Sequence, residues 1–181
     1  MCHRSPLELV GVVAGPAKNS GRRVTVNLRP ESVADEPFIR RLIMETVAEE
    51  LGAAAWPEPM RNHLLGIQYA ARRQAHLANP AAASHVIQAD GTDSIRVDAG
   101  WAVVNRMPHE VRLVEIMLLP EMRGKGIGTA VIHEVLASAA AAGKPLRLNV
   151  NMMNQGAIRF YERLGFRKTA QDAVQYLMEH D

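Results

Sequence analysis

A chain of 181 residues, 48% hydrophobic and 22% charged, has the make-up of one globular domain with its own core and too little length for two. Its 21 Lys and Arg against 19 Asp and Glu give a net charge of +2, with no long basic run, so neither nucleic acid nor a membrane is an expected partner. The single cysteine, Cys2, excludes an intrachain disulfide and fits a reduced, cytoplasmic setting.

With aromatics at only 4%, the core has to come from Leu, Ile, Val, Met and Ala. The apolar stretch Leu7 to Ala14 is broken by Glu8 and too short to span a bilayer. Residues 1–22 read as a flexible tail, rich in Gly, Pro and Asn near its end, and the domain is expected over 23–181.

Val24 to Leu28 alternates as a first strand. A helix follows, with Asp35 as its N-cap and Pro37 in its first turn; Ile39, Leu42, Ile43, Val47 and Leu51 recur at helical spacing until Gly52. Pro57 and Pro59 open a second helix ending before Asn79-Pro80, with Met60, Leu64, Ile67 and Ala71 as its apolar face and Arg72 and Arg73 on a solvated one.

Ser84 to Ala89 and Ile95 to Val104 read as strands joined by a hairpin at Asp90-Gly91. Val111 to Leu118 is a third, buried strand. A long helix carries Ile127, Val131 and Val135 on one stripe, runs through the alanines at 139–142 and stops at Gly143. Leu146 to Val150 is the next strand, which requires a right-handed crossover to a parallel neighbour. A short helix over Ala157 to Leu164 and strands at Phe166 to Ala170 and Val174 to Met178 close the chain. The predicted class is α/β with a mixed, mainly antiparallel sheet and one parallel β-α-β unit.

The most informative stretch is Leu118-Leu-Pro-Glu-Met-Arg-Gly-Lys-Gly-Ile-Gly-Thr129, where a strand ends, a glycine-rich turn follows and a helix begins. Free backbone amides and the helix dipole at such a point attract phosphate oxygens. Gly124, Gly126 and Gly128 permit close approach, while Arg123 and Lys125 add charge. The spacing fits neither the dinucleotide fingerprint nor the P-loop, in which Ser or Thr must follow the Lys.

Arg123-x-x-Gly126-x-Gly128 resembles the pyrophosphate-binding signature of the GNAT superfamily of acyltransferases. A second segment, Asn154-Gln-Gly-Ala157 running into Phe160-Tyr161-Glu162-Arg163-Leu164-Gly165-Phe166, is similar to another motif of that family. The resemblance covers about Val24 to Glu179, with specific motifs only over 113–166.

It implies the GNAT fold, in which the strand before the turn bulges and splays from its parallel neighbour, and acetyl-CoA as acyl donor with no metal. The pantetheine arm would run along Ile116, Met117 and Leu118, with an N–H of Met117 or Leu118 polarising the thioester carbonyl. The diphosphate would sit on Arg123, Gly124, Lys125, Gly126, Ile127, Gly128 and Thr129, and Asn154 would contact the arm. The acetyl group would pass directly to a primary amine, here expected to belong to a small molecule, and a homodimer is left open.

Tyr161 matches the family's general acid, which protonates the leaving thiolate. Glu115 is the only acidic residue between Val111 and Leu118. A carboxylate in an apolar run either bridges to a cation such as Arg112 or Arg147, or serves as the base. A position where other members carry a carboxylate holds Arg112, a departure that leaves Glu110 or a water as further candidates for the base. The acceptor pocket is expected between the first two helices and the strands around 95–118, where His85, His109 and Trp101 are candidate lining, although a strand tryptophan is more often core. His133 and the acidic group Glu45, Glu49 and Glu50 read as solvated helix faces. The reading from a different class is a CoA-binding sensor of the same fold without turnover.

Overall fold

A computed structural model describes residues 24–90 and 95–181, so the tail at 1–22 and the Gly91 turn lie outside the described residues. The strands are β1 (Val26–Pro30), β2 (Ala82–Asp90), β3 (Arg96–Arg106), β4 (Val111–Leu118), β5 (Leu146–Asn151), β6 (Arg167–Gln171) and β7 (Gln175–His180). The helices are α1 (Glu36–Glu50), α2 (Glu58–Leu77), α3 (Ile127–Ala141) and α4 (Gln155–Arg163). The strands build one seven-stranded sheet in the order β1-β2-β3-β4-β5-β7-β6. All neighbours are antiparallel except β4 and β5, the pair joined through α3. Among the described residues no helix is long and apolar enough to cross a membrane.

Side chains alternate across the sheet and so divide the core in two. On one face Ala102, Val104, Leu113, Leu146 and Leu148 pack with Ile127, Val131, Ile132 and Val135 of α3 and Ile158 and Tyr161 of α4. On the other, Trp101, Val103 and Met117 pack with Ile39, Leu42, Ile43 and Val47 of α1 and Leu65 and Tyr69 of α2.

The expected elements are present with shifted ends, β1 by two residues. Two side-chain assignments are corrected. Asp35 stands at the N-cap position of α1, as expected, but its side chain makes no cap bond to that helix: the carboxylate closes the preceding 3-10 turn, accepting from Ser32 N at 2.7 Å, Ser32 Oγ at 2.8 Å and Arg29 at 2.7 and 2.9 Å. The expected apolar face of α2 points outward instead, with Met60 47%, Leu64 37% and Ile67 51% exposed. Its inward face runs through Leu65, Tyr69, Arg73 and His76, because arginine and histidine there find carboxylates on neighbouring elements; Arg72 and Arg73 are ion-paired rather than solvated.

The Arg29 guanidinium holds the Asp35 carboxyl well below the usual carboxylate range. A depressed carboxyl stabilises the fold above its unfolded-state pKa and loses that contribution as pH falls. Asp35→Asn is therefore expected to cost about 2 kcal/mol at pH 7, with the partial exposure of Arg29 keeping it modest, and distinctly less at pH 3. Thermal melts of both proteins at the two pH values check this.

Candidate active site

The parallel pairing of β4 and β5 runs over Val111↔Leu146, Arg112↔Arg147 and Leu113↔Leu148 and stops there. Beyond it, β4 continues paired to β3 and β5 continues paired to β7, so a gap opens in the middle of the sheet. Its cause lies one residue further along β4. The register with β3 passes from Val104↔Leu113 to Val103↔Glu115, which leaves Val114 as a bulge.

The extra residue reverses the phase of the strand. Leu113 faces α3, whereas Glu115, two residues on, lies opposite Val103 on the α1/α2 face. The same reversal governs the backbone. Leu119 N–H donates to Ala99 O of β3 at 3.0 Å, so alternation turns the amides of Ile116 and Leu118 toward the gap and that of Met117 toward β3. Gly100 permits this crowding, since a Cβ there would stand 2.1 Å from Met117 O.

At the wide end of the gap, a 3-10 turn over Pro120–Met122 leads through the glycines into α3. Gly124 and Gly126 have φ of 71° and 83°, and Gly126 is the N-cap of α3. The consecutive amides of residues 124–129 donate to no acceptor among the described residues, and the first internal bond of α3 is Ala130 N to Gly126 O. Six neighbouring amides at the positive end of a 15-residue helix form a seat for an anion. Lys125 is exposed beside them. The side chain of Arg123 turns back, donating to Leu118 O at 3.0 Å and to Glu49 of α1 at 2.5 Å, which ties the turn to the strand end and to α1.

Gly126→Ala puts a side chain into left-handed backbone, and its Cβ would meet only Val24 at 3.6 Å, so the cost is conformational, about 1–2 kcal/mol. Gly128 is helical and its Cβ would make ordinary contact with Phe160 at 3.6 Å. Differential scanning calorimetry is expected to show a lower Tm for Gly126→Ala and none of that loss for Gly128→Ala.

Tyr161 lies on α4, within the core on the α3 side of the sheet, and Asn154 begins that helix. Asn154 is the N-cap of α4, accepting from Ala157 N at 2.9 Å through Oδ1. The Tyr161 ring is buried against Phe160 and Phe166, with centroids 5.2 and 5.6 Å away. Its hydroxyl has no hydrogen bond to a described residue, and burial pushes its pKa up to about 12.

Glu115 occupies the opposite face. Its Oε2 is 2.9 Å from His76 Nε2 and its Oε1 3.3 Å from Arg72 Nη1; Arg72 also reaches Glu50 at 3.3 Å. Arg112 and Arg147, the cations nearer in sequence, instead clamp Glu110 at 2.8 and 2.7 Å and hold its carboxyl low. Glu110 stands at the zipped end of β4, away from the gap. His109 is exposed in the turn before it, and His85 lies opposite Ala102 on the α3 face, so neither lines the α1/α2 side. Trp101 does, fully buried, its Nε1–H donating to Glu31 at 2.9 Å. The sequence reading missed His76; its spacing from Leu65 and Tyr69 on one helical face was the available signal.

A sheet split beside an amide-lined helix start defines a class of protein built to seat an extended ligand with an anionic end. Residues 44–166 match the acetyltransferase (GNAT) family, and the chain belongs to that family of acyltransferases. It is 36% identical over 117 residues to an uncharacterised N-acetyltransferase of Mycobacterium tuberculosis, covering 63% of this chain and 71% of that protein. An uncharacterised N-acetyltransferase of Methanocaldococcus jannaschii is 40% identical over 76 residues, 41% of this chain but only 33% of that protein's length. Among solved structures, the PaiA N-acetyltransferase of Thermoplasma acidophilum in complex with coenzyme A superposes with a TM-score of 0.65 at 19% identity, over 87% of this chain and 99% of that one.

Proposed function

We propose that the protein transfers the acetyl group of acetyl-CoA directly to a primary amine, with a small cytoplasmic molecule as acceptor. The observation that carries this reading is the gap in the sheet, bounded by free amides on β4 and opening onto the amides of residues 124–129. An extended pantetheine arm pairs with Ile116 and Leu118 as a substitute strand, beside Met117. The diphosphate rests on Gly124, Lys125, Gly126, Ile127, Gly128 and Thr129, with Arg123 bracing the turn. The CoA complex of the structurally similar PaiA protein supports the choice of ligand.

In this reading the gap joins the two faces of the sheet, Tyr161 lying on the α3 face and Glu115 on the α1/α2 face. A thioester held there meets an amine from the Glu115 side and a proton donor from the Tyr161 side. Glu115 takes a proton from the ammonium, and the neutral nitrogen attacks the carbonyl carbon. Leu118 N–H, turned into the gap, stabilises the oxyanion. The C–S bond then breaks as Tyr161 protonates the sulfur, the surplus proton on the attacking nitrogen passes through water to the phenolate so formed, and Glu115 returns its proton to solvent. Asn154 orients the start of α4 and, through its amide nitrogen, contacts the arm.

The test is twofold. Acetyl-CoA is expected to raise the Tm, and CoA thiol release is expected to depend on at least one amine among spermidine, kanamycin, lysinamide and a lysine-containing peptide. Protection without turnover on a wide amine panel selects the non-catalytic sensor of the same fold; no protection removes both.

A further inference from the structure

We infer that His76 is a positioning residue for the base, fixing the Glu115 carboxylate through Nε2–H; this rests on the reading of Glu115 as proton acceptor. An ionised carboxylate only accepts hydrogen bonds, so the 2.9 Å contact requires the proton on Nε2. The contact from Arg72 to the other oxygen is longer, at 3.3 Å, and is shared with Glu50. The histidine therefore makes the short bond that sets the torsions of Glu115, and the remaining lone pairs stay open to an incoming ammonium.

The imidazole is itself held. It stands edge-on to Trp101 with centroids 5.3 Å apart and planes at 70°, and its side chain is only 11% exposed. Trp101 is pinned by its bond to Glu31, and Glu31 by Arg73 at 2.7 Å. A chain of contacts thus runs from Arg73 through Glu31, Trp101 and His76 to Glu115. It joins three elements: α2, the segment after β1, and the β3–β4 pair. The bulge at Val114 makes the chain possible, because it alone turns Glu115 to the face that α2 covers. A base held this way keeps one orientation at the point where the gap opens, and misplacing a reacting group by about 1 Å can cost roughly a hundredfold in rate.

Two measurements test the assignment. The first needs no acceptor: 15N NMR of the histidine rings in the intact protein is expected to show His76 protonated at Nε2, and a neutral ring carrying its proton on Nδ1 overturns the proposal. The second uses acetyl-CoA with the amine of the panel above that turns over fastest. His76→Leu is expected to lower kcat roughly tenfold to a hundredfold with KM for acetyl-CoA unmoved, and His76→Gln, which retains a donor, to restore most of it. In Glu115→Gln the further change His76→Leu is expected to have no effect, because the histidine acts only through the carboxylate. Effects that multiply, or His76 variants at full rate beside a slow Glu115→Gln, overturn the positioning role and leave the base in place. A fast Glu115→Gln instead removes the base reading beneath it. Should His76→Leu not fold, His76→Gln and the ring spectrum decide.

Discussion

Tyr161→Phe is expected to lower kcat by about a hundredfold to a thousandfold while acetyl-CoA affinity stays within about twofold. The ring keeps its contacts with Phe160 and Phe166, and the hydroxyl leaves no described partner unpaired, so the Tm is expected to hold. What is lost is the proton. Burial keeps Tyr161 a phenol up to about pH 12, so the donor is loaded throughout the neutral range. A group that acid-poor would donate reluctantly to a thiolate in water. In the proposed reaction the thiolate would form against the same apolar surroundings that raise the phenol, and burial shifts both in the same direction. A variant with full kcat ends the acid assignment; one with weakened acetyl-CoA binding assigns the hydroxyl to the ligand instead.

The helix that carries Tyr161 and its Asn154 cap were legible in the sequence because everything they need is local. Asn154 caps the helix that carries Tyr161, and Phe166 follows within the same segment, so one contiguous motif specifies the geometry. The glycine turn is local in the same sense: strand, turn and helix succeed one another without interruption. β4 was placed over the very residues it occupies, since a run of Val, Leu, Ile and Met bounded by turns has few other readings.

The surroundings of Glu115 were legible only in part, and α2 shows why. Hydrophobic periodicity assumes that the inward face of a helix is apolar. In α2 the face turned inward carries Arg73 and His76, whose partners Glu31, Glu36 and Glu115 come from three distant segments. The stripe of Met60, Leu64 and Ile67 reads as core by spacing yet lies outside. The bulge at Val114 is equally silent in residue type, because valine suits an ordinary strand position. Without its phase reversal, alternation places Glu115 beside Leu113 on the α3 face, within reach of a different set of cations. The partners expected for Glu115, Arg112 and Arg147, pair with Glu110 beside them at the closed end of β4, while α2 brings Arg72 and His76 to Glu115.

Glu115→Gln is expected to lower kcat/KM for the amine by about two to four orders of magnitude near neutral pH, through loss of the base rather than of the fold. Two donors, Arg72 and His76, converge on this side chain, and an amide can accept from only one of them with its oxygen while its NH2 faces the other. A stability cost of about 1–2 kcal/mol follows from that mismatch, small enough for the enzyme to remain folded at assay temperature. The chemical loss has a distinct signature. Without a base only the amine already free of its proton reacts, and for a lysine-like amine of pKa about 10.4 that fraction grows about tenfold for each pH unit below the pKa. The rate of Glu115→Gln is therefore expected to climb steeply between pH 7 and 9, narrowing its gap to wild type, whose base makes it less dependent on the free amine. Two profiles that run parallel would mean that the carboxylate does not handle the amine's proton. Glu115 would then be a tie between β4 and α2, and the proton would leave through water.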